Sequence, residues 1–215
     1  MERYTVPKID GREDLPFLKS LPIAHAEWTG KWNASRFTGL SVEQACRFFS
    51  AEARIGYTND AFFVRLSAHE AELRREETGP VGAPCEDSCL EFFFSPDPSG
   101  KRYFNIEMNP NACFYFGIGT SIETLVRLRP EHDPDPFEAV AEIDGNDWSV
   151  TYRIPLELIR MFFPEFTFAP GVKLRANFFH CGDSTVFPHF LSWSPMDTDK
   201  ISYHQPDFFG ELTLE

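Results

Sequence analysis

Residues 86–116 read EDSCLEFFFSPDPSGKRYFNIEMNPNACFYF, in which apolar runs are separated by residues that favour turns. Residues 88–95 are rich in Phe, and the PDPSG sequence that follows has the chemistry of a turn. Apolar and polar side chains then alternate over residues 103–109, and a Pro-Asn pair leads into the apolar residues 112–117. The stretch therefore predicts three consecutive antiparallel strands.

The rest of the chain repeats this pattern of short apolar segments joined by polar turns. The other predicted strands are residues 51–58, 61–68, 139–143, 148–154 and 172–180. Pro155 is predicted to occupy the first position of a short helix, residues 156–162. The spacing of these strands favours an all-β fold, an antiparallel β-sandwich of immunoglobulin-like or jelly-roll-like type with one or two short helices. We expect residues 1–215 to form a single domain.

Composition limits the classes of partner. The chain has 215 residues, 23 of them Phe, and a formal net charge of −13. A field of that sign repels phosphate groups and anionic lipids, so nucleic acid and membranes are poor partners, and a neutral sugar or a cation fits better. We expect a soluble cytoplasmic protein, because no signal segment and no run of about 18 apolar residues is present.

The five cysteines form an odd set without a CxxC pair. This argues against a disulfide framework, so free thiols are expected. Cys85 and Cys89 are four positions apart, but no second pair or matching His spacing accompanies them. Their spacing therefore does not favour a zinc site.

Alternation along residues 103–109 divides the strand into two faces. Phe104, Ile106 and Met108 form an apolar face that is predicted to join the core. Tyr103, Asn105, Glu107 and Asn109 form the opposite face, and residues 173–179 show a similar division. Amides and charges beside an aromatic ring suit a sugar, because the polar groups bind hydroxyls while the ring stacks on C–H groups. An ordinary solvated face is the alternative.

The stretch at residues 86–116 and the C-terminal segment LSWSPMDTDKISYHQPDFFGELTL, residues 191–214, together resemble carbohydrate-binding module family 9. The shared features are an acidic-led strand, a hairpin that ends in an Asn-Pro-Asn-like turn, and a closing W-S-P…F-G-x-L segment. The resemblance implies a stand-alone module that binds carbohydrate without catalysis. In that family, two Trp rings enclose a terminal sugar, and nearby Glu, Arg and amide groups bind its hydroxyls.

The resemblance implies five ligand-binding residues in this chain. Trp193 is expected to present an exposed ring, Arg102 and Asn177 are expected to bind hydroxyls, and Glu86 and Asp87 match the acidic pair. The segment GPVGAPCEDSC, where the second ring is expected, contains no aromatic residue. Trp28, Trp32 and Trp148 are interpreted as edge or core residues. An interaction or scaffold module that has lost its sugar site is therefore an alternative.

Other chemistry has less support in the sequence. No GxSxG, HExxH or P-loop motif occurs, and Glu86 and Asp87 are neighbours that would point to opposite faces of a strand. The sequence identifies no cofactor with certainty, and the turn Asp144-Gly145-Asn146-Asp147 offers oxygen ligands for a structural calcium ion. A haem-binding sandwich, with Met108 and His180 as axial ligands, is a further alternative.

Overall fold

The computed structural model describes residues 1–25, 48–79, 82–129, 135–197 and 202–215. Trp28, Trp32 and Cys46 lie outside the described residues. Among the residues described, no helix is long and apolar enough to cross a membrane.

The described residues form two β-sheets. The larger sheet has eight strands in the order β1-β13-β11-β5-β6-β7-β8, with β12 also paired to β11. Its strands are β1 (Arg3–Val6), β5 (Cys89–Ser95), β6 (Tyr103–Met108), β7 (Phe114–Gly119), β8 (Val126–Arg127), β11 (Lys173–Cys181), β12 (Phe190–Ser192) and β13 (Gly210–Leu214). The pair of β1 with β13 is parallel, and the other pairs in this sheet are antiparallel.

The smaller sheet has five strands in the order β2-β3-β4-β10-β9. They are β2 (Leu21–Pro22), β3 (Phe49–Tyr57), β4 (Ala61–Glu70), β9 (Val140–Asp144) and β10 (Asp147–Pro155), and all their pairings are antiparallel. The predicted all-β sandwich is confirmed.

Helical structure is sparse, as expected. The described residues contain one α-helix, α1 (Leu156–Arg160), and several short 3₁₀ turns, including Pro84–Glu86 and Pro206–Phe208. The prediction for Pro155 was wrong by one position. It is the extended cap residue before α1, because β10 continues through Pro155 to pair with Ala61.

The apolar faces of both sheets pack against each other in one large buried cluster. Phe104, Ile106 and Met108 belong to it, as the alternation predicts. Phe92 and Phe178 lie on neighbouring strands of the same face, and their rings stack with centroids 4.6 Å apart. Burial of so many Phe rings supplies the main driving force for folding, because it removes a large apolar area from water.

The opposite face of the large sheet is also covered, at one end, by a second apolar cluster. Its members are Cys89, Phe93, Tyr103, Phe179, Cys181, Phe190, Met196, Tyr203 and Phe209. The segment between β12 and β13 contributes Met196, Tyr203 and Phe209, so the C-terminal part of the chain folds over this face. The predicted polar face of β6 is therefore enclosed rather than solvated, and Tyr103, Asn105, Glu107 and Asn109 are all buried.

Candidate functional site

A cavity of about 440 Å³ opens between the outer face of the large sheet and the segment that covers it. The residues that line it are Ala83, Cys85, Glu91, Glu107, Tyr115, Ile122, Leu125, Arg127, Cys181, Asp183, Phe190, Ser202, Tyr203 and His204. This volume is near the lower end of the range for small-molecule sites. The lining combines aromatic rings with carboxylates and a guanidinium group, which is the combination that sugars require.

Strand register brings two carboxylates together at the floor of this cavity. Glu91 on β5 lies directly opposite Glu107 on β6, and Tyr115 on β7 continues the same row. Glu91 is 3% exposed and Glu107 is 7% exposed. The side-chain amide of Asn105 donates to Glu107 Oε1 at 2.9 Å and fixes the orientation of that carboxyl group.

Burial alters the acidity of these groups. It raises the pKa of Glu91 well above the ordinary value, and the charge of Glu107 adds to the effect. Burial likewise raises the pKa of Glu107 to about 7, against the hydrogen bond from Asn105. Asp183 at the rim has its pKa raised to about 6 by burial and by the charge of Glu86. Near neutral pH Glu91 and Glu107 can therefore donate as well as accept hydrogen bonds.

Aromatic rings and the guanidinium group of Arg127 form the walls of the cavity. The Arg127 guanidinium lies 4.7 Å from the centre of the Tyr115 ring and donates to the Gly82 carbonyl at 2.7 Å. His204 Nδ1 lies 2.7 Å from the Tyr103 hydroxyl. The Tyr203 ring stacks on Phe179 with centroids 4.0 Å apart. These contacts hold the walls in place before any ligand arrives.

The structure corrects the expectation that Trp193 presents an exposed ring. Trp193 is 4% exposed and belongs to the core between the sheets, where it meets Phe178 edge to face at 5.7 Å. Gly210 permits this packing, because a β-carbon at that position would lie 2.5 Å from the indole ring. Trp193 therefore has no free face for a sugar, and the same C-terminal segment supplies Tyr203 and His204 to the cavity instead.

Asn177 and Asp87 are also engaged in internal contacts. The side-chain amide of Asn177 donates to the Ser194 carbonyl at 2.9 Å, and its oxygen accepts from the Ser194 backbone N–H at 2.8 Å. The Asp87 carboxylate accepts from the Glu77 backbone N–H at 2.7 Å and from the Asn109 amide at 2.9 Å. Both side chains are fully buried. They brace loops, so the expectation that they bind hydroxyls does not agree with their geometry.

Glu86 and Arg102 are exposed but lie away from the cavity floor. The Glu86 carboxylate accepts a hydrogen bond from the Ser184 hydroxyl. Arg102 lies over the Phe163 ring at 4.6 Å and borders a different cavity of about 520 Å³. It precedes Glu107 by five residues, roughly 17 Å along a strand. The five expected residues therefore do not converge on one site.

A buried polar cluster lies inside the sandwich where the haem alternative places its ligands. His180 Nε2 is 2.9 Å from Glu70 Oε1 and 3.1 Å from His189 Nε2. Met108 is separated from His180 by Leu90 in the strand register. Because the His180 nitrogen is engaged by Glu70 and His189 and Met108 is packed in the core, this arrangement gives the haem alternative no support.

The cluster of Glu70, His180 and His189 is expected to make the stability of the fold decrease in acid. Burial, aided by the charge of His180, lowers the pKa of His189 to about 3. A His with a lowered folded pKa stabilises the fold above its unfolded pKa of about 6.5, and this stability is lost as the pH falls through the window from 6.5 to 3. We expect the wild type to lose about 2 kcal/mol more than His189→Gln between pH 6.5 and pH 5 in urea unfolding. His69→Gln, at an exposed His, is the control, and equal losses in wild type and His189→Gln would contradict the expectation.

A larger groove of about 710 Å³ lies on the outer face of the small sheet. Its charged groups include Arg65 and Glu142, which already pair at 2.9 Å, and Trp148, the indole among its described lining residues, is 2% exposed. The expected calcium turn borders this groove, where the Asp147 carboxylate lies 2.8 Å from His69 Nδ1. The described residues that line the groove offer no exposed indole face, so the smaller cavity is taken as the candidate site, and the calcium ion stays a prediction.

Sequence reasoning placed Glu107 on the face that carries the cavity but did not single it out as a ligand. It also did not single out Glu91, Arg127, Asp183 and Tyr203, which line the cavity. Glu91 could have been found from the predicted pairing of residues 88–95 with residues 103–109, which sets the two glutamates on one face. Asp183 and Tyr203 lie in irregular segments, whose approach to the sheet no local pattern indicates.

Comparison with known proteins gives a consistent result. A sequence model of carbohydrate-binding family 9 matches residues 33–214. A proposed carbohydrate-binding protein from Bacteroides uniformis ATCC 8492 has a similar structure, with a TM-score of 0.78 and 23% identity over 100% of this chain and 99% of that chain. No curated protein matches the sequence.

Two further similar structures are of a family 9 module from Caldicellulosiruptor kristjanssonii, in complex with glucose and with cellotriose. Each has a TM-score of 0.65 and 12% identity, and they cover 100% of this chain and 96% and 94% of their own chains, respectively. At such identities the likeness concerns the fold.

Proposed function

We propose that this chain, which belongs to carbohydrate-binding family 9, binds a neutral sugar in the 440 Å³ cavity and does not cleave it. The ligand is a small sugar or the end of a glycan chain. The observation that carries the proposal is the pairing of Glu91 and Glu107 on a cavity floor that is walled by Tyr115, Tyr203 and His204.

The chemistry of the lining supports a sugar over other ligands. Carboxyl groups can bind two neighbouring hydroxyls at once, and a guanidinium adds donors in a fixed geometry. The aromatic walls suit the apolar C–H face of a pyranose ring. Among the described lining residues, a phosphorylated or acidic ligand would meet Glu91, Glu107 and Asp183 and one guanidinium group, that of Arg127, which disfavours such a ligand.

The family 9 module from C. kristjanssonii was solved with glucose and with cellotriose, so gluco-configured sugars are the first ligands to try. Binding without catalysis is supported by the placement of the two glutamates. Both project from the same face of adjacent strands, so they would approach a sugar from one side. A glycosidase needs its two carboxyl groups on either side of the scissile bond.

The rival proposal is a scaffold module that has lost its sugar site. Its support is the segment without the second ring, in which Cys85 rather than an aromatic side chain borders the cavity. Loss of one ring would weaken binding without removing the polar floor, since an aromatic contact contributes about 1 kcal/mol beyond its buried area.

Titration calorimetry separates the two proposals. We expect saturable binding of glucose or cellotriose with a Kd in the micromolar to millimolar range, about −8 to −4 kcal/mol. Chromatography of the sugar after long incubation should recover it unchanged. A flat titration across a panel of neutral glycans would favour the scaffold proposal, and shortened oligosaccharides would show that the module is an enzyme.

A further inference from the structure

The outer face of the large sheet carries thiols beside the two glutamates. Cys181 on β11 lies directly opposite Cys89 on β5, and Glu91 follows Cys89 two positions later on the same face. The three side chains therefore form a compact triangle across two neighbouring strands. All three residues are buried, while Cys181 and Glu91 also border the cavity.

The distances within this triangle suit a metal ion. Cys181 Sγ lies 3.0 Å from Glu91 Oε1, and one ligand atom from each of the three residues lies within 4.8 Å of the others. Around a tetrahedral zinc ion, with bonds of about 2.3 Å to sulfur and about 2.1 Å to oxygen, two sulfurs are about 3.8 Å apart and sulfur and oxygen about 3.6 Å. Small side-chain adjustments would bring the three atoms to that geometry.

Further acidic side chains lie around the triangle. Glu107 lies opposite Glu91 in the strand register, and Asp183 and Cys85 line the same cavity. Of the described residues that line the cavity, Arg127 alone carries a permanent positive charge, and it acts on Glu107. Like charges placed opposite each other on adjacent strands destabilise a sheet unless a proton or a cation separates them.

A second group of potential ligands, the Glu70, His180 and His189 cluster, does not line the cavity. Glu70 Oε1 accepts from the Trp148 indole N–H at 3.0 Å, and Glu70 Oε2 accepts from the Ser88 hydroxyl at 2.6 Å. The Cys89 thiol is hydrogen-bonded to the Cys181 thiol and lies 4.0 Å from the Leu90 carbonyl. The thiol triangle is also next to a cavity through which an ion can enter.

We infer that Cys89, Cys181 and Glu91 bind a thiophilic divalent cation such as Zn²⁺ at the floor of the cavity. Two thiolates and a carboxylate supply three ligands, and the fourth position faces the cavity, where a water molecule or a ligand oxygen completes the tetrahedron. The two thiols lose their protons when the ion binds. This inference does not depend on sugar binding.

Cobalt spectroscopy tests the inference directly. Metal-stripped, reduced full-length protein is titrated with Co²⁺, whose coordination by thiolate gives a charge-transfer band in the near ultraviolet and intense visible bands when tetrahedral. We expect one equivalent to bind and Zn²⁺ to abolish the bands. In Cys181→Ser we expect the charge-transfer intensity to fall by about half and the affinity at least tenfold.

Cys113→Ser is the matched control, because Cys113 is a buried thiol elsewhere, with its Sγ 3.2 Å from the Gly79 carbonyl. It should leave the cobalt spectrum unchanged. If circular dichroism shows that Cys181→Ser does not fold, Glu91→Gln must lower the affinity for Co²⁺ with the thiolate band retained. No thiolate band in the wild type, or a band that survives Cys181→Ser unchanged in the folded protein, overturns the inference. Sugar calorimetry of the same metal-stripped protein reports on the proposed function separately.

Discussion

Trp193→Ala is expected to lower the free energy of unfolding by about 3 to 5 kcal/mol, as for other buried Trp residues. The reason is its position between Phe178 and Gly210 in the core, where it is 4% exposed. For a chain of this size, such a loss lowers the melting temperature by roughly 10 °C. Sugar affinity, measured at a temperature where the variant is folded, should change little. Thermal and urea unfolding provide the measurement.

Trp193→Phe is the control, since it keeps an aromatic ring at the same place and should recover part of the stability. If Trp193→Ala does not fold, the stability and sugar affinity of Trp193→Phe are measured in its place. The packing account would be wrong if Trp193→Ala melted like the wild type and lost its affinity for sugar, which is the behaviour of an exposed platform.

Glu107→Gln is expected to reduce sugar affinity by about 2- to 10-fold, because the amide has one acceptor oxygen fewer and a hydrogen bond between uncharged groups contributes about 0.5 to 1.5 kcal/mol. Stability should be almost unaffected. Burial already raises the pKa of Glu107 to about 7, so the fold accepts an uncharged side chain of the same shape there. Titration calorimetry with the best ligand of the glycan panel measures the affinity, and thermal unfolding measures the stability.

Glu142→Gln is the matched control for this experiment. Glu142 borders the larger groove on the small sheet and pairs with Arg65 at 2.9 Å. Its replacement should leave sugar affinity unchanged. A loss of affinity in Glu142→Gln, with none in Glu107→Gln, would move the binding site to the other face of the sandwich.

Much of the fold could be predicted because its signals are local. The turn after Tyr57, the PDPSG turn and the alternation along β6 each specify a hairpin without knowledge of distant residues. The alternation also separated the core face from the cavity face of β6 correctly. The alternation could not show that the second face is buried, because the C-terminal segment covers this face through long-range packing.

The residues that line the candidate site could not be identified one by one from the sequence. Trp193 and Tyr203 lie in one segment, and the sequence does not reveal which ring turns inward. The structure does, because the Trp193 backbone N–H bonds to the Phe178 carbonyl and its indole fills the space over Gly210. Glu86 and Asp87 were chosen as the leading acids of β5, whereas the glutamate that reaches the cavity is Glu91.

The thiol cluster illustrates the same limit for metal sites. Cys89 and Cys181 are far apart in sequence, so no short spacing motif connects them, and the argument from Cys85 and Cys89 alone did not favour zinc. Only the register of β5 with β11 brings the two thiols opposite each other. Sites built across strands become visible when pairing is known, whereas sites built on one turn or helix are visible in the sequence.

A crystal structure of the protein soaked with its best-binding sugar tests the central claim most directly. The account predicts ligand density in the 440 Å³ cavity, with sugar hydroxyls within hydrogen-bond distance of Glu107 and a ring face against Tyr203 or His204. Density in the groove beside Trp148 or in the cavity beside Arg102, with this cavity empty, would contradict it.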